Sequence, residues 1–279
     1  MIKKNINKQT KPSLKYYSFD IDDNLVFMPT KIHMKHLVNN EWIDESVSTE
    51  EFAKVRTDLD NWKCDENSFI DFRDIGIRGE EQFIFDLKIA LTNKEFGPSW
   101  DTFIDCLSKG STFSIVTSRG HGPKSIRTGI EYIIQNILTI DQKDEMASNL
   151  ISFGYLFGEI DIMKHHSFEK LIKIYLDSCD FIGISSPYFL ERNKDLINDS
   201  GASNPEKAKE RAISDFIKKI NDWGKQVGYK VKLGFSDDDI RNVDAIKKYF
   251  NENKNFYDIN FSIIDTSDKN VHGGKKIRI

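Results

Sequence analysis

The stretch YYSFDIDDN, Tyr16 to Asn24, decides how this chain is read: an apolar run that ends in carboxylates. A second stretch with the same shape, VKLGFSDDD from Val231 to Asp239, follows more than 200 residues later. Each predicts a buried strand that delivers acids to one end of a sheet, where neighbouring strands would bring the two sets together. Two carboxylates about 4 Å apart repel by about 4 kcal/mol at an effective dielectric of roughly 20. The cluster therefore requires a cation, a shared proton or generous solvation. A hard cation is the simplest answer, and oxygen ligands without nearby Cys or His point to Mg²⁺ rather than zinc.

Composition bounds the rest. With 279 residues, 39% hydrophobic and 12% aromatic, the chain has enough for one large α/β core plus an insertion, or for two modest domains. A net charge of -4 gives no general field for a polyanion, so any nucleic-acid contact has to rest on a local patch. Cys64, Cys106 and Cys179 lie far apart and read as free thiols in a reducing compartment, with the cytoplasm as the expected location. The N-terminus is basic and polar without an apolar signal region, and reads as a frayed tail. No run of about 18 apolar residues occurs, so a membrane is not an expected partner. Nothing in the sequence encodes an oligomeric state.

Along the chain, Leu14–Phe19 is the first expected strand. Lys31–Val38, Asn39-Asn40 and Glu41–Val47 read as a β-hairpin, and Ser48-Thr49-Glu50-Glu51 as a helix start. Phe83, Leu87 and Leu91 stand at helical spacing, and Gly97-Pro98 closes the insertion. Beyond it the reading is a helix over 99–109, a strand over 112–116, a helix opened by Pro123 and a helix-rich segment over 139–178. A strand over 181–185, a polar loop, a helix from Pro205, a strand over 230–235, a helix over 240–250 and a strand over 259–264 complete it. This alternation predicts an α/β, doubly wound, mostly parallel sheet. Residues 14–28 and 97–279 are expected to form the core, with the helical insertion at about 139–178, and 29–96 a small α+β cap.

The order of parts, a strand then Asp20-Ile21-Asp22, a strand then Thr117, a helix start bearing Lys207 or Lys209, and a strand then Asp237-Asp238, resembles the haloacid dehalogenase superfamily of phosphatases. The resemblance covers the core strands. It implies a Rossmannoid core and a Mg²⁺-dependent phosphomonoester hydrolase. The expected substrate is a phosphorylated small molecule, a nucleotide or a nucleic-acid end. Asp20 is then the nucleophile that becomes phosphorylated, and Asp22 the acid and base, with its carbonyl also on the metal. Asp237 and Asp238 complete the metal set, and Asn242 stands behind them. Thr117, Ser118, Arg119 and Gly120 would hold phosphoryl oxygens at a helix N-terminus. The cation that ties nucleophile to phosphate is expected to be Lys207, with Lys209 as the alternative and Lys164 a poorer one.

Some features depart from the pattern or stand outside it. Asp23-Asn24 occupy places where many members have Gly-Thr. Asp23 is read either as another negative charge near the metal or as pointing to solvent, and Asn24 as a tolerant turn residue. Asp239 is read as a helix cap. Arg119 and His121 are read either as substrate-reading groups or as a surface Arg and a turn His. Arg73 and Arg78 are read either as cap residues that touch substrate or as salt-bridged surface groups. His33, His36, His165 and His166 lack the partners of a zinc site and read as surface histidines. HGGKKIRI at the C-terminus reads as a Gly-hinged basic end without P-loop spacing. Two other readings stand beside the hydrolase: a receiver-like phosphotransfer module and a non-catalytic binding protein that retains the fold.

Overall fold

Strand β1 (Ser13–Phe19) lies between β5 (Phe113–Thr117) and β7 (Lys230–Asp237), parallel to both. β6 (Asp180–Gly183) joins β5, and β8 (Ile259–Asp265) joins β7, also in parallel. The sheet ends in β9 (Lys275–Arg278), which runs antiparallel to β8, giving the order β6-β5-β1-β7-β8-β9. The fold is therefore α/β with a mostly parallel sheet. This computed structural model describes residues 13–152, 167–197, 204–268, 271 and 273–278. The N-terminal tail before Ser13, together with Lys164, His165 and His166, lies outside the described residues.

Both faces of the sheet are covered, because successive β-strand side chains alternate between them. On one face Phe19, Phe113 and Ile115 pack with α2 (Gln82–Thr92), α3 (Trp100–Ser108), α4 (Pro123–Asn136), α5 (Ile140–Ser152) and α6 (Phe168–Asp177). On the other, Tyr16, Val116, Val231, Leu233 and Phe235 pack with α8 (Pro205–Val227) and α9 (Ile240–Asn253). Full burial of a side chain such as Phe19 stabilises by roughly 1.5–3 kcal/mol.

The hairpin β2 (Ile32–Val38) and β3 (Glu41–Val47) turns through Asn39 and Asn40, both with positive φ, at 52° and 65°. Such a two-residue loop matches the twist of the strands. β4 (Trp62–Lys63) completes a separate three-stranded sheet, and α1 (Thr49–Val55) starts with a capping box of Ser48 and Glu51. This insertion has its own small core of Ile32, Met34, Val47 and Phe72. Helix α2 differs from expectation: Phe83, Leu87, Ala90 and Leu91 belong to the main core, so the independent part of 29–96 ends before it.

Two further differences concern the polar segments. The stretch after β6 contains a short helix, α7 (Pro187–Arg192), capped by Ser186, whose side chain accepts from the Phe189 amide. The basic C-terminal end is the edge strand β9, which Gly273 and Gly274 introduce at φ of 75° and 69°. All three cysteines are free, Cys64 exposed and Cys106 and Cys179 buried. No helix among the described residues is long and apolar enough to cross a membrane.

Candidate active site

The register of β1 against β7 pairs Phe19 with Ser236, so Asp20 and Asp237 leave adjoining strand ends side by side. The Asp20 amide donates to the Ser236 carbonyl at 3.1 Å. Asn24, fully buried, clasps the two loops: its Nδ2 donates to the Asp20 carbonyl at 2.9 Å and to Ser236 Oγ at 2.8 Å, and its Oδ1 accepts from Thr266 Oγ1 at 2.8 Å. Carboxylate oxygens of Asp20, Asp237 and Asp238 come within 4.8 Å of one another.

The lysine in this cluster is Lys209. Its Nζ lies 2.8 Å from Asp237 Oδ2 and 3.2 Å from Asp20 Oδ1. Lys207 faces solvent, and its amide donates to the Asn204 cap at 2.9 Å. The physical reason is helix phase: Lys209 shares the inward face of α8 with Ile213, Phe216 and Ile220, at steps of three and four residues.

Charges decide the character of the cluster. Burial pushes the Asp20 carboxyl well above its ordinary range, and Asp237 and Asp238 add to that, against the opposing pull of Lys209. Burial and Asp237 push Asp238 up to about 7. Burial alone would lower Lys209, but Asp20 and Asp237 outweigh it and hold the ammonium above the usual lysine range. Asp237 is saturated, because Oδ1 accepts from the Asp239 amide and Asn242 Nδ2 while Oδ2 takes Lys209. Asp20 Oδ1 is the opposite case, buried with no hydrogen-bond partner beyond the poorly aligned ion pair.

These observations fit a hard divalent cation. Three carboxylates meet one ammonium, which leaves two negative charges in excess when all are ionised. The donors are oxygens only, and one of them is an orphan. Asp20, Asp237 and Asp238 are the residues that would hold the ion; the Asp22 carboxylate is not in this group.

Asp22 instead makes a bidentate pair with Arg119, Nε to Oδ2 at 2.8 Å and Nη2 to Oδ1 at 2.7 Å. Arg119 is only 1% exposed, sits over the Phe72 ring and also donates to Thr30 Oγ1 at 2.8 Å; Thr30 donates to Asp86. It is thus not a surface group, and its Nη1 is buried without a hydrogen-bond partner. His121 is likewise not a turn histidine. It is fully buried against Phe83, and burial with the Arg119 charge lowers it to about 3.

Thr117 ends β5 fully buried, its Oγ1 accepting from the Arg119 amide at 3.3 Å, and Ser118 beside it is exposed. Gly120 docks the insertion, donating its amide to the Phe72 carbonyl at 2.8 Å. The α4 N-terminus, expected to receive an anion, already has one from the chain itself: Asp74 Oδ2 accepts from the Gly122 amide at 2.6 Å.

Asp23 does not point to solvent. It is 9% exposed, adopts φ of 59° and accepts from Thr49 Oγ1 at 2.8 Å, so Asp23 rather than Asn24 takes the left-handed turn position. Asp239 caps α9, as expected, accepting from the Arg241 amide at 3.0 Å. Of the groups now seen to matter, Lys209 carried a sequence signal in its helical phase. The Asn24 clasp and the Asp22–Arg119 pair carried none, because each joins segments remote in sequence. No family model, no curated protein and no solved structure matches this chain.

Proposed function

We propose that this chain is a Mg²⁺-dependent phosphomonoester hydrolase of the haloacid dehalogenase type, working through a phosphoaspartate on Asp20. The observation that carries this reading is the Lys209 ammonium shared between Asp20 and Asp237 at adjoining strand ends, with Asp238 beside them. Magnesium, held by Asp20, Asp237 and Asp238 and, by the resemblance, the Asp22 carbonyl, would screen the repulsion between carboxylate and phosphate.

An Asp20 oxygen attacks phosphorus, the bond to the substrate oxygen breaks, and the leaving alkoxide takes a proton. Water then attacks the same phosphorus, releasing inorganic phosphate and restoring the carboxylate. Lys209 opposes the burial that raises the Asp20 carboxyl and offsets charge that gathers on the phosphoryl oxygens. Thr117 Oγ1 and the Ser118 amide supply donors at the neighbouring strand end. For Asp22 to move protons in both steps, its carboxylate has to leave Arg119, which holds both of its oxygens.

That pair favours a second reading, the phosphotransfer module, in which the phosphoaspartate outlives its formation. Hydrolysis of an aryl phosphate separates the two. Multiple turnovers that require Mg²⁺ and fall by at least ~10³-fold in Asp20→Asn support the hydrolase. A single stoichiometric burst supports the module, and turnover that survives Asp20→Asn removes both.

A further inference from the structure

We propose that Arg73 and Tyr188 form an outer subsite for the nucleotide part of the substrate, so that the phosphate cleaved at Asp20 is the terminal phosphate of a nucleotide or nucleic-acid end. This rests on the hydrolase reading and narrows its substrate class. Both residues border the strip Gly120–Gly122 that follows Thr117. Arg73 pairs with Gly120 in an isolated parallel bridge, and a Cβ on Gly120 would fall 3.0 Å from Arg73 Cγ. A Cβ on Gly122 would fall 2.9 Å from Tyr188 Cε2. The glycines thus let the Arg73 stem and the Tyr188 ring approach the loop closely.

Neither group is used by the fold. Arg73 is half-buried, yet among the described residues its guanidinium has no hydrogen bond or ion pair. Its acidic neighbours are engaged elsewhere, Asp71 with His33 Nε2 at 2.8 Å and Asp74 with the Gly122 amide. Tyr188 is 62% exposed, and the exposed Ile75 and Ile77 follow Arg73 on its loop. An unpaired guanidinium matches phosphate oxygens, and an exposed ring offers a base a stacking platform.

The spacing suits such a ligand. Tyr188 follows β6, whose Gly183 is level with Thr117 in the sheet. β6 is two strands from β1, about 10 Å at the usual strand separation, comparable to the reach from a terminal phosphate to its base.

The test uses full-length Asp20→Asn protein with Mg²⁺, so that ligands bind without turnover, in isothermal titrations. The probes are thymidine monophosphate and the dinucleotide pTpT, each with the phosphate at the 5′ or the 3′ end, and glycerol phosphate. At least one nucleotide is expected to bind about tenfold more tightly than glycerol phosphate. Tyr188→Ala should abolish that advantage, Tyr188→Phe should keep it, and glycerol phosphate should be indifferent to both. Arg73→Ala should weaken the dinucleotide more than the mononucleotide if the ligand is a nucleic-acid end, and both alike if it is a free nucleotide.

Equal affinity for nucleotides and glycerol phosphate, or full nucleotide affinity in both Tyr188→Ala and Arg73→Ala, overturns the subsite. If the wild-type chain hydrolyses no phosphomonoester but these substitutions still cost nucleotide binding, the hydrolase reading fails and the subsite stands. Aryl phosphate turnover without nucleotide discrimination sinks the subsite alone.

Discussion

The two acidic strand ends have the same composition and divide their labour differently. At the end of β7, Asp237 is saturated with donors, Asp238 is left facing its neighbours, and Asp239 caps α9. At the end of β1, Asp20 is left with one ion pair, Asp22 is bound by Arg119, and Asp23 is tied to the first residue of α1. Three of the six carboxylates meet in the cluster, and the other three hold segments together. Identical side chains thus do unlike work, and the partners set by the fold decide which.

The sharpest way to break this comparison is at the lysine. Lys209→Ala leaves buried carboxylates without their cation and is expected to cost about 3–5 kcal/mol in urea denaturation, with loss of turnover. Lys207→Ala should stay within about 0.5 kcal/mol and retain activity. A reversal of the two results would move the site elsewhere.

A change of pH should sharpen the contrast within the β7 end. Asp238 is raised to about 7 in the fold, whereas an unfolded Asp ionises near 3.9. Between these values the folded state binds the extra proton, so stability falls as pH rises from about 4 to about 7. Asp20 shifts in the same direction. The melting temperature of metal-free protein should therefore drop across this window, and Mg²⁺ should raise it more at pH 8 than at pH 5.5. A metal effect indifferent to pH would exclude Asp238 from the ion site.

The smallest effect belongs to a structural carboxylate. Burial would raise Asp239, but hydrogen bonds from Arg241 outweigh it and lower the carboxyl to about 2. Asp239→Ala should cost about 1 kcal/mol as a lost helix cap and leave turnover unchanged. A large loss of turnover at unchanged stability would assign Asp239 to the chemistry and erase the division between the two groups.

Much of this was legible because it is local. Apolar runs of strand length, the Asn39-Asn40 turn, the Ser48–Glu51 box and the Asp239 cap depend on residues a few positions apart. Lys209 was legible too, since Ala208, Ala212 and Phe216 mark the inward face of α8. The burial of Arg119 was not legible, because Asp22, Thr30 and Phe72 arrive from other segments to enclose it.

By itself the sequence determined that two carboxylate-bearing strands exist and that helices of matching length separate them, because side-chain periodicity records burial directly. Only the tertiary structure decided that Phe19 stands level with Ser236, that Asn24 clasps both loops, and which acids keep an unshared oxygen. Register and pairing depend on contacts between residues up to 242 positions apart, and no local pattern specifies those.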